Sequence, residues 1–187
     1  MAKLDLNSAL KGIHGRIDNW VYRQFGNRTI IGPKPVFAGA PTAAQLANRE
    51  RFQEAAAYGR AALADPVLRP LYQAVAKARD LPPFAVIIED FFTSPEVKEI
   101  DATGYHGHVG DLIKVSALDD FEVVWVEVVI RNAANVMLEQ GPAALLDGLW
   151  TYVATVSVAA GETVTIEAVA KDRPGHPGVK TVPCLVG

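Results

Sequence analysis

The spacing of apolar residues changes at Ser94-Pro95, from about 3.6 residues to 2, and no other feature of the chain constrains its fold as strongly. Before that point apolar side chains recur as they do along helices. After it they alternate. A helical pattern cannot settle as a strand, nor the reverse, so the chain of 187 residues divides into a helical part and a β part.

Within the helical part, Pro33, Pro35 and Pro41 end any preceding strand. Thr42 and Gln45 then stand at capping-box spacing, which predicts a helix start. Leu46, Phe52, Ala56, Gly59 and Leu63 form an apolar stripe at roughly helical spacing, so the helix should run to Ala64. Asp65 followed by Pro66 predicts a capped second helix, with Leu68, Leu71, Tyr72 and Val75 on its inner face, ending at Arg79 or Asp80. The apolar run 84–92 follows Pro82-Pro83, carries Glu89 and Asp90 among apolar neighbours and lacks alternation, and is read as a short third helix.

The β part holds seven strand candidates: 96–105, 111–118, 123–132, 134–138, 149–157, 163–172 and 179–185. Val124, Val126, Val128 and Ile130 share one face of the third; Val164, Ile166, Ala168 and Ala170 share one face of the sixth. Trp150 and Tyr152 add aromatic bulk to the core. Seven short strands in so little chain predict a β-sandwich.

Ahead of all this, residues 18–40 read as a β-hairpin, and an isolated two-stranded hairpin is marginal in water. It requires a partner surface. Val21, Arg23 and Phe25 fall on one face and Trp20, Tyr22 and Gln24 on the other, so both faces carry large groups. Trp20, Val21, Tyr22, Arg23, Phe25, Ile30 and Ile31 are the expected assembly interface. The expected organisation is an α+β chain: a basic N-terminal arm with a β-hairpin at 1–40, a helical region at 41–94, and a seven-strand immunoglobulin-like β-sandwich at 95–187.

That last term rests on a resemblance. The segments 110–117 and 148–152, and 168–172 followed by Pro174-Gly175, resemble strands of bacterial immunoglobulin-like or fibronectin type III-like modules. The cysteine pair of antibody domains is missing, so nothing antibody-like carries over. The N-terminal half, with Val21-Tyr22-Arg23, the start 41–45 and the stretch 49–52, resembles uncharacterised bacterial proteins; that resemblance implies no active site.

Charge is unevenly distributed. Residues 1–40 hold six Lys or Arg against two Asp or Glu, residues 41–94 six of each, and residues 95–187 six against thirteen. A basic end and an acidic end favour a head-to-tail contact between copies. The overall acidity argues against a nucleic-acid partner, although the arm combines basic and aromatic residues.

Chemistry-bearing motifs are sparse. His106 and His108 could ligate a metal with Asp111 and His176, but no metallohydrolase spacing accompanies them, and exposed turn residues are expected. Asp119, Asp120 and Glu122, with Asp101, Asp111 and Asp172, could gather at one end of the sandwich, where loop carboxylates bind calcium in some β modules; a solvated acidic edge is expected. There is no nucleophile elbow, phosphate loop or dinucleotide motif; Gly12 and Gly15 stand without the other glycines. No cofactor is expected. Cys184 is the only cysteine, which excludes an intrachain disulfide and fits a small apolar strand residue. No stretch has the length of a membrane span, and the N-terminal residues lack a signal-peptide core, so synthesis as a soluble cytoplasmic product is expected, with the final compartment, including export without a cleaved signal, left open. The function expected is that of a non-enzymatic structural subunit that self-assembles into a ring, fibre or other homo-oligomer. The alternative is a carbohydrate- or protein-binding module that uses the β half.

Overall fold

The computed structural model describes residues 2–3, 13–25, 28–36 and 39–187, with the backbone alone at 2, 3, 25 and 28. The fold is α+β, with helices and antiparallel sheets. Two compact units divide at residues 46 and 47, inside the first turns of the first helix.

The N-terminal unit is a four-stranded antiparallel sheet of β1 (Ala2–Lys3), β2 (Gly15–Ile17), β3 (Trp20–Phe25) and β4 (Arg28–Pro33), in the order β1-β4-β3-β2. The expected hairpin is β3–β4, with Tyr22 opposite Ile31 and Arg23 opposite Ile30. It does not stand alone, which corrects the two-stranded reading. A second hairpin precedes it: β2 pairs with β3 across the two-residue loop Asp18-Asn19, where Asp18 takes a φ of 53°. Asp and Asn tolerate that left-handed conformation, and a tight turn of this kind matches the twist of the strands it joins. Missing apolar alternation before Asp18 hid the short β2.

Three helices follow: α1 (Ala43–Ala64), which enters the second unit at Ala47, α2 (Leu68–Ala78) and α3 (Pro83–Phe92). Both capping-box bonds form: the Gln45 amide donates to Thr42 Oγ1 at 3.3 Å and the Thr42 amide to Gln45 Oε1 at 3.1 Å. Asp65 Oδ1 accepts the amides of Val67 and Leu68, at 2.7 and 3.0 Å, and so starts α2. The buried stripe of α1 is Ala55, Gly59 and Ala62; Leu46 and Phe52, expected on it, are exposed. The reason is close approach: a Cβ on Gly59 would stand 2.7 Å from the Phe84 ring of α3, so only small residues fit this seam. Ala62, Tyr72, Ala76, Val86 and Ile87 form the helical core, and Phe121 from the β region packs against it.

Beyond Pro95 come β5 (Glu96–Asp101), β6 (Leu112–Leu118), β7 (Trp125–Asn132), β8 (Met137–Pro142), β9 (Ala144–Leu146), β10 (Leu149–Val153), β11 (Thr163–Lys171) and β12 (Pro177–Leu185). They form two four-stranded antiparallel sheets, β5-β6-β10-β9 and β12-β11-β7-β8. Val126, Val128, Ile130, Val164, Ile166, Ala168 and Ala170 from one sheet, with Val97, Ile113, Val115 and Tyr152 from the other, make one buried core. Both face assignments read from the alternation hold, apart from Val124, which is exposed just before β7.

Eight strands stand where seven were expected, and local hydrogen bonds explain the shifts. The strand expected at 134–138 begins at Met137 because Asn132 Oδ1 accepts the amides of Ala134 and Val136, which commits those residues to a turn. The eighth strand is β9, joined to β10 by Asp147-Gly148 with φ of 50° and 81°. Asp-Gly is a strong short-range hairpin signal, overlooked because the flanking Ala144, Leu145 and Leu146 lack alternation. β5 stops early because Asp101 Oδ1 accepts the Thr103 amide at 3.0 Å. Gly178 of β12 lies so close to the Pro95 carbonyl that any Cβ would overlap it, which pins the helix-to-strand junction against the far sheet.

Candidate functional site

Antiparallel register places directly opposed residues on the same face of a sheet. In the N-terminal sheet, Trp20 is opposite both Ile17 and Pro33, and Tyr22 is opposite Ile31, so Ile17, Trp20, Tyr22 and Ile31 share one face. Val21, Arg23 and Ile30 share the other with Arg16. The expected interface residues are thus split between faces. Val21, Tyr22, Ile30 and Ile31 are half-buried and Arg23 is exposed; the Phe25 side chain lies outside the described residues. Trp20 is 49% exposed and Ile17, which sequence reasoning missed, 57%. The two sit side by side on β2 and β3, and among the described residues β2 is an edge strand, exposed at all three residues.

The β half has a similar edge. Among the described residues β9 pairs only with β10; it is exposed throughout and carries Leu145 at 57% and Leu146 at 56% exposure. Trp125 lies exposed on β7, opposite Lys171.

His106 and His108 lie in the connection between β5 and β6. Asp111 Oδ2 accepts the amides of His106 and His108, at 2.7 and 2.8 Å, and these bonds hold its carboxyl below the usual aspartate range. The His108 ring nitrogen stands 3.8 Å from the same oxygen. His176 is elsewhere: its ring packs edge-on against Phe91 and its Nδ1 is 3.3 Å from Asp172 Oδ2. Asp172 is buried, with Oδ1 accepting the amides of Gly175 and His176. Asp101, Asp111 and Asp172 are each spent on a local turn, so the six loop carboxylates do not form one site.

Two of them do meet a residue not included in that group. Asp90 on α3, Asp119 and Asp120 bring one carboxylate oxygen each within 4.8 Å of one another, the one such trio of potential metal ligands among the described residues. Tyr58 and Tyr72 lead into it: their hydroxyls are 3.0 Å apart, and Tyr72 donates to Asp90 Oδ2. Phe121 stacks on Tyr72 with ring centroids 4.3 Å apart, and Asp119 Oδ2 accepts the amides of Phe121 and Glu122, so α2, α3 and the β6–β7 connection are locked together. Burial and the negative charges of Asp119, Asp120 and Asp172 push the Asp90 carboxyl up to about 7, against the opposing effect of the Tyr72 hydroxyl. Asp120 is likewise raised, by partial burial and then by Asp119 and Glu89. The sequence signal for Asp90 was its place in an otherwise apolar segment, where a charged residue turned inward needs a partner.

Comparison with protein-family models, curated proteins and solved structures finds no match to this chain. Among the described residues no helix is long and apolar enough to cross a membrane.

Proposed function

We propose that this chain is a non-enzymatic structural subunit that self-associates head to tail, the N-terminal sheet of one copy adding through β2 to the β9 edge of the next. In the same reading, the two C-terminal sheets form an immunoglobulin-like sandwich that serves as the receiving body. The observation that carries the proposal is the pair of short edge strands, β2 and β9, both exposed throughout and both flanked by large apolar side chains. An open strand edge offers unpaired amides and carbonyls that give affinity to any incoming strand, while neighbouring side chains set the register.

Charge supports the same pairing, since the basic residues of 1–40 face a surplus of seven acidic residues in 95–187. Opposite potentials steer encounter over roughly a Debye length, about 8 Å at physiological ionic strength. Because the two edges differ, the contact is heterologous, and it yields a ring if the rotation closes or a filament if it does not. The purified chain is expected to form oligomers by light scattering, and deletion of residues 1–34 to leave monomers. Equal oligomer size with and without those residues would overturn the reading.

A further inference from the structure

We propose that Asp90, Asp119 and Asp120 form a binding site for a hard divalent cation, of which calcium is the representative, at the junction of α3 and the β6–β7 connection. Such ions take oxygen ligands at about 2.3–2.6 Å, so two ligands of one ion stand at most about 5 Å apart. The trio satisfies that limit, with its oxygens within 4.8 Å of one another.

A cluster of carboxylates alone is common on protein surfaces. What distinguishes this one is burial without satisfaction. Asp90 is 1% exposed, and its Oδ1 is buried with no hydrogen-bond partner; Asp119 Oδ1 is buried and unpartnered as well. Each of these two residues uses its other oxygen, on the Tyr72 hydroxyl in one case and on two backbone amides in the other. Leaving a buried acceptor unpaired costs that group its full desolvation penalty, and more when it is charged. Native proteins rarely tolerate that without a bound partner.

No side-chain cation fills the role. Among the described residues, no Lys or Arg lies within ion-pair distance of Asp90, Asp119 or Asp120; Arg173, just beyond the end of β11, is paired with Glu122 and lies over the Phe121 ring. The negative charge here is instead deepened by buried Asp172. The gradient of exposure also fits: Asp90 is buried, Asp119 half-buried and Asp120 exposed, so an ion can enter from solvent at Asp120, shed part of its water and settle against Asp90. Three carboxylates with water completing the shell suit a hard ion, whereas a softer metal would select imidazole or thiolate. Such an ion would tie the helices to the strands within the second unit, and it is independent of the proposed contact between copies.

The test uses the full chain stripped by chelator, titrated with calcium chloride and followed by calorimetry and thermal unfolding. The expected result is saturable binding of one ion per chain with a rise in Tm. Asp120→Asn, at an exposed position where folding should survive, is expected to weaken binding by at least the roughly 10–100-fold that even outer-shell partners of a metal cost. Circular dichroism of that variant checks its fold. Absence of heat and of any Tm change with calcium, magnesium and manganese would overturn the site and leave a shared proton as the partner of the buried oxygens. So would a calcium response of the same size in Asp120→Asn.

Discussion

Glu139 ties the two C-terminal sheets through a single carboxylate oxygen. It sits on β8, and its Oε2 accepts from the Tyr152 hydroxyl of β10 at 2.8 Å and from the amide and hydroxyl of Thr155, at 2.7 and 2.9 Å. Burial, reinforced by this carboxylate, pushes the Tyr152 hydroxyl up to about 12, so it remains a donor across the working range of pH. Glu139→Ala leaves a buried hydroxyl and an amide without an acceptor and is expected to lower stability by about 1–3 kcal/mol, read as the shift in a urea unfolding midpoint. Glu139→Gln keeps an acceptor oxygen and should lose less. Such single residues were hard to find in the sequence. Glu139 lies beyond the segment read as a strand, and Asp90, with Glu89 among apolar neighbours, spoke only for a helix over a strand; each acquires its role only from partners distant in the chain, Tyr152 and Asp119 among them. Cys184, by contrast, was read as a small apolar residue of the last strand and stands half-buried in β12, with burial raising its thiol.

Local rules were legible at the level of elements wherever the deciding contacts were local. Thr42, Gln45 and Asp65 cap helices as their spacing implied, and β7 and β11 bury the faces that their alternation assigned. Errors fell where one side chain reshaped a turn, as Asn132 and Asp101 do, or where a neighbouring element set the rule, as α3 does for the small residues of α1. Asp111 offers a test of such a turn. Its carboxyl is held below its ordinary value of 3.8 by two backbone amides, so near that value the unfolded chain binds more protons than the native one. Stability from this turn is therefore complete above the ordinary value and is lost as pH falls through the depressed one. Tm followed from about pH 5 to pH 2 should fall more steeply for the wild type than for Asp111→Asn, which cannot titrate. Parallel slopes would remove Asp111 from the account.

The whole molecule combines two compact units with different edges, and self-association is the claim on which the functional reading rests. A hairpin seeking a partner was the sequence's reason for proposing assembly. Two strands of the same chain, β1 and β2, now flank it, so the reason has moved to the outer edge of β2 and its neighbours Ile17 and Trp20. A lysine on an edge strand blocks pairing by placing a charge where another strand would lie. Ile17→Lys spoils the donating edge and Leu145→Lys the receiving one, and both positions are exposed, so neither substitution opens a core cavity. Sedimentation velocity on these two variants, alone and mixed in equal amounts, tests the claim most directly. Each variant alone is expected to be monomeric and the mixture to form dimers, because one intact β2 and one intact β9 remain to pair. Wild-type oligomers that persist in both single variants, or a mixture that stays monomeric, would contradict the claim.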